Sequence, residues 1–114
     1  MNKKKKTIYK GARIMIIYNV TVKIDSDAWQ EWLKWIKEIH VPDVIATKQF
    51  ISSQIFRLLD QPEEDDRTYV IQYRCESREK FDFYIENFAP VLREQHDRRY
   101  KGKFVSFSTL MEIV

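Results

Sequence analysis

The chain has 114 residues, enough for one domain around one core, and 44% of them are hydrophobic. The single cysteine, Cys75, excludes an internal disulfide and any cysteine-based zinc site, and two glycines, Gly11 and Gly102, are too few for a glycine-rich phosphate or dinucleotide cradle. One cysteine fits a reducing cytoplasm, which is the expected location, and no apolar run approaches the roughly 20 residues of a membrane span.

The formal charge of +3 hides two parts of opposite sign. Residues 1–14, MNKKKKTIYKGARI, hold six of the twenty basic residues and no acid; the remaining hundred hold fourteen basic and seventeen acidic residues, a net of −3. Residues 1–13 therefore read as a basic disordered leader, and 14–114 as the domain. The leader lacks the apolar length and cleavage site of a signal peptide. Four adjacent lysines can hold phosphate non-specifically, but Met15 opens the first strand directly, which favours a bland leader or an upstream start.

From Ile14 to Ile24 the residues alternate. Ile14, Ile16, Tyr18, Val20, Val22 and Ile24 share one face of a strand, while Met15, Ile17, Asn19, Thr21 and Lys23 share the other. Asp25, Ser26 and Asp27 can each cap the next helix. At 100° per residue, Trp29, Trp32, Leu33, Ile36, Ile39 and His40 form its apolar stripe. Pro42 is predicted to end this helix and start a short turn through Ala46. A second strand is predicted over 50–59 and a third over 68–75, with the acidic turn QPEEDDR between them. Ser77 can cap a second helix bearing Phe81, Tyr84, Ile85, Phe88 and Leu92, which kinks or restarts at Pro90. KGK is a turn before a last strand over 104–114.

The order β-α-β-β-α-β predicts an α+β, ferredoxin-like fold: a four-stranded antiparallel sheet with two helices on one face. The other sheet face is predicted to carry Met15, Ile17, Asn19 and Thr21; Phe50, Ser52, Gln54, Phe56 and Leu58; Val70, Gln72 and Arg74; and Phe104, Ser106, Ser108 and Leu110. A mixed face of that size calls for cover, most economically by a second copy in a sheet-against-sheet homodimer.

The segments MIIYNVTVKID, HVPDVIATKQF, YVIQYRCES, APVLRE and GKFVSF, in this order from Met15 to the C-terminus, resemble a domain-of-unknown-function family of short bacterial proteins. That resemblance implies the dimeric α/β-barrel arrangement, two ferredoxin-like protomers with stacked sheets. It implies no reaction and no catalytic residues. The wider group, similar in fold, includes cofactor-independent monooxygenases, haem-degrading enzymes, chlorite dismutase-like proteins and stress-response proteins.

His40, at the end of the apolar stripe, is the candidate catalytic or ligand-contacting residue; the bland alternative is an imidazole bonded to a carbonyl near a helix C-terminus. His96, among charged neighbours, reads as a solvated helix residue, and Trp35 and Phe83 as tolerated surface aromatics. No histidine spacing supports a metal site, and no cofactor motif is present. Cys75 reads as a small buried residue. Asn19, Gln54, Gln72 and Ser108 are predicted to converge on the barrel side as ligand contacts or interface hydrogen bonds; Trp32, Ile36 and His40 complete the candidate ligand set. KGKFVSF resembles an RNA-recognition signature, but on the wrong strand and one residue short, and the acidic domain argues against nucleic acid. The best reading is a protein that binds a small apolar or aromatic molecule between the first helix, the HVP turn and the sheet. Alternatives are a cofactor-independent monooxygenase or isomerase using His40 as base, and an interaction module working through its dimer or the acidic loop at 63–66.

Overall fold

The computed structural model describes residues 15–62 and 66–114. The predicted leader (1–13), Ile14 and residues 63–65 of the acidic loop lie outside the described residues.

β1 (Ile16–Ile24) is central because both its edges are paired, with β3 (Arg67–Cys75) on one side and β4 (Phe104–Glu112) on the other. β2 (Ser52–Arg57) adds outside β3, which gives the antiparallel order β2-β3-β1-β4. The fold is ferredoxin-like, as the alternation of periods predicts.

The first helical rod is continuous but not uniform. α1 (Trp29–Trp35) leads into a single π-helical turn (Ile36–His40) and then α2 (Val41–Ala46). The predicted cap is not used: Ala28 occupies the N-cap with no side-chain bond, and the Asp25 carbonyl accepts from the Ala28 and Trp29 N–H groups. Asp27 instead accepts from Lys103 Nζ at 2.8 Å. Nor does the rod stop at His40. Pro42 has no N–H to offer the carbonyl of Glu38, and directly before it the ladder widens, with the Val41 N–H donating to the Ile36 carbonyl. The extra residue in this turn rotates the rod about its axis. Ile39, predicted for the apolar stripe, is 47% exposed, and His40 turns toward the sheet.

The second rod breaks where Pro90 predicts. α3 (Arg78–Asn87) is capped by Ser77, whose hydroxyl accepts from the Lys80 N–H, and α4 (Ala89–Arg99) restarts with Pro90 in its first turn. Gly102, at φ +78°, makes the turn into β4.

The core lies between the rods and the sheet. Tyr18 sits at its centre, with Phe50, Tyr73, Phe81 and Tyr84 around it at ring separations of 5.0–6.4 Å. Directly opposed residues share a face, so the register corrects two assignments. Phe104, Ser106, Ser108 and Leu110 stand opposite Ile24, Val22, Val20 and Tyr18, so they face the helices and not the open side. The outward set of β4 is Val105, Phe107, Thr109 and Met111, the more apolar one. Phe50 also belongs to the core, at 6% exposure. The other open-face residues, Ser52, Gln54, Phe56, Val70, Gln72 and Arg74, fall where alternation puts them.

Candidate functional site

A cavity of about 300 Å³ lies between the two rods and the β1–β4 half of the sheet. Small side chains make it. Ser106 and Ser108 stand opposite Val22 and Val20 on the helix-facing side of β4, where larger residues would fill the space. Ile36 and His40 form the wall from the first rod; Tyr84, Arg93, His96 and Asp97 form the wall from the second; Tyr18, Ile71 and Tyr73 form part of the floor.

His40 reaches this wall from the last residue of the π turn. Its ring stacks on Trp35 at 5.3 Å and lies 5.9 Å from the His96 ring. Its Nδ1 is buried and has no hydrogen-bond partner among the described residues. Burial, and next the nearby His96, push its pKa down to about 4, against a smaller opposing pull from Asp97. His40 is therefore a neutral imidazole at ordinary pH, with one ring nitrogen left for a ligand.

His96 is not the solvated residue its charged neighbours suggest. It is 8% exposed, and Trp32 Nε1 donates to its Nε2 at 2.9 Å. With Nε2 accepting, Nδ1 is the nitrogen left to donate, and it faces Asp97 Oδ1 at 3.0 Å. Both nitrogens are used, so His96 is a fixed wall element. Trp35 is likewise more than a tolerated surface aromatic: it is half-buried, backs His40, touches Tyr100 at 5.7 Å and lies under the Arg99 guanidinium at 5.4 Å. Phe83 is 50% exposed and leans on Phe88.

The phenols are donors. Burial raises Tyr73 and Tyr84 far above the ordinary range, so both stay protonated. Arg93 Nη2 donates to Tyr18 Oη at 2.9 Å, which leaves the Tyr18 hydroxyl proton free to donate in turn. Cys75 contributes nothing reactive: its thiol is buried, donates to the carbonyls of Gln49 (3.2 Å) and Ser77 (3.3 Å), and is pushed up by burial. Among the described residues no group of three or more His, Cys, Asp or Glu side chains gathers to hold a metal.

Of the residues singled out in the sequence, Ile36, His40 and Ser108 line the cavity. Trp32 is fully buried behind it and meets it through His96. Asn19, Gln72 and Gln54 form one cross-strand row on the opposite sheet face, so they do not converge with Ser108. Tyr18, Arg93 and His96 also line the cavity, and the sequence pattern does not single them out. Tyr18 lies on the inward face of a clear strand, and its hydroxyl is the available signal. Arg93 and His96 are three residues apart on one helix, a spacing that shares a face, but the surrounding charges mask it.

No curated protein matches the chain. Solved structures similar to it share the fold at low identity. A dimeric ferredoxin-like protein from an uncultured marine organism is 11% identical, with TM-score 0.67 over 88% of this chain and 94% of its own. A monooxygenase of Streptomyces coelicolor, in complex with nanaomycin D, is 14% identical, with TM-score 0.61 over 90% and 89%. A cofactor-independent oxygenase from Streptomyces nogalater is 12% identical, with TM-score 0.59 over 84% and 90%. No helix of the described residues is long and apolar enough to cross a membrane. The motifs running from Met15 to the C-terminus are those of a domain of unknown function, DUF4286, whose family model matches residues 15–114, and the chain belongs to that family.

Proposed function

We propose that this protein is a homodimer, closed sheet against sheet, in which each protomer binds a small, partly aromatic molecule in the cavity between its helices and its sheet. The observation that carries the binding reading is His40 Nδ1, a buried imidazole nitrogen without a partner among the described residues, at the wall of a cavity that mixes phenols and aliphatic side chains with Arg93, Asp97 and two serines. Apolar walls with a few placed polar groups are the usual make-up of a small-molecule site. The dimer rests on β4, whose more apolar face points away from the core, with Val105 and Phe107 both 65% exposed. The buried Oδ1 of Asn19, also without a partner among the described residues, lies on that same face.

A second reading, a cofactor-independent oxygenase or isomerase, is supported by the oxygenases among proteins of this fold and by the neutral state of His40, which leaves it able to accept a proton. The test of both parts is native mass spectrometry of gently purified protein beside His40→Gln. The expected result is a dimer with extra mass per protomer, and loss of that mass in the variant. A clean dimer that takes up no aromatic compound overturns the binding reading; a monomer overturns the assembly.

A further inference from the structure

Four arginines lie on the helices of the described residues, and three of them hold carboxylates: Arg78 bonds Asp82 at 3.1 Å, Arg98 bonds Glu94 at 2.7 Å and Arg99 bonds Glu31 at 2.7 Å. Arg93 is the exception. It makes no ion pair within 4.0 Å among the described residues, and its hydrogen bond goes to the phenol of Tyr18. Both side chains line the cavity. Asp97, one turn further on and also at the wall, has its Oδ1 occupied by His96. It leaves Arg93 without a bonded counter-charge.

We propose that Arg93 and Tyr18 are the anchoring point for a planar aromatic anion, a carboxylate or a phenolate, whose ring lies between Ile36 and Tyr73. This rests on the binding reading above and names its ligand class. The guanidinium fork and the Tyr18 hydroxyl are two kinds of donor within 2.9 Å of each other, so one anionic group can be met by both. Because the Tyr18 oxygen already accepts from Arg93, its proton is directed away from the guanidinium. Val20, Val22 and Ile71 give the ring an apolar floor, and a ring seated on it would shield the charged hydrogen bonds on that side. The cavity, at about 300 Å³, is at the small end for ligand sites, so the ring system is one or two rings. His40 Nδ1, on the opposite rod, is left to meet a second polar group on the ligand's far side.

The test is calorimetric titration at pH 7 of the full chain with three probes: naphthoate (a carboxylate), dinitrophenolate (a phenolate) and neutral naphthol. We expect at least one anion to bind about tenfold tighter than naphthol, corresponding to one charged hydrogen bond. Arg93→Gln should remove that preference by weakening the anion far more than naphthol. Tyr18→Phe, which keeps the ring in the core, should reduce it about threefold to tenfold and so serves if Arg93→Gln unfolds. Which anion is preferred distinguishes carboxylate from phenolate recognition. Equal binding of all three probes, or equal weakening of all three in the variants, overturns the anion anchor and leaves the cavity standing. Failure of every probe to bind overturns the cavity reading itself, and the anchor with it.

Discussion

His40 has an ordinary pKa of 6.5 and is held at about 4 in the folded chain. Between these values the unfolded chain takes up a proton that the native state refuses, so stability is complete above pH 6.5 and falls as pH drops toward 4. The groups facing the ring are His96, Asp97 and Trp35; of these Asp97 opposes the shift and His96 adds to it. The loss amounts to at most about 3 kcal/mol. Urea unfolding of wild type and His40→Gln across pH 4–7 measures it, since carboxylate effects cancel in the difference. We expect the variant to gain on wild type as pH falls; parallel curves would show that the imidazole is not held neutral by burial. That His40 faces the cavity is readable from its place at the end of an apolar stripe. That Arg93 and His96 line it too is not, because a charged stretch such as REQHDRR reads as solvated unless one knows which turn meets the sheet.

Elements are the most readable level, and the departures have physical causes. Strand β1 and the restart at Pro90 follow from alternation and from a missing N–H. The continuation of the first rod past His40 does not, because a π turn has no sequence signature of its own; only Pro42 hints at it. The face of β4 misleads for a related reason. Sending its more apolar residues inward places Val105 and Phe107 in the core, and the register puts them outside. A rule that sends apolar residues inward fails where a sheet has two faces to cover. One element-level prediction is sharp. Gly102 sits at φ +78°, and a Cβ placed there meets nothing within 4 Å, so Gly102→Ala carries only backbone strain. It should lower stability by about 1 kcal/mol, and Gly102→Asn by clearly less, because asparagine tolerates this conformation. Denaturant midpoints check both; equal losses would mean the turn is stabilised by something other than its dihedral angle.

For the assembled protein, the proposed dimer makes a direct demand on β4. Phe107, on the outward face and 65% exposed, would be buried against the partner sheet. Phe107→Glu places an unpaired charge there, which costs several kcal/mol and should weaken dimerisation by about a hundredfold or more. Light scattering over a dilution series measures it; a variant as dimeric as wild type would move the interface elsewhere. The cavity, by contrast, lies on the helix side of the same sheet. The two surfaces are therefore separated by one layer of backbone, and Val20, Val22, Ser106 and Ser108 alternate with Asn19, Thr21, Val105 and Phe107 across it. In a sheet-to-sheet dimer each cavity would lie on the side of its sheet away from the partner. Ligand uptake would then saturate at two per dimer with a Hill coefficient of one, and neither occupant would sense the other except through a change in the twist of the shared sheet wall.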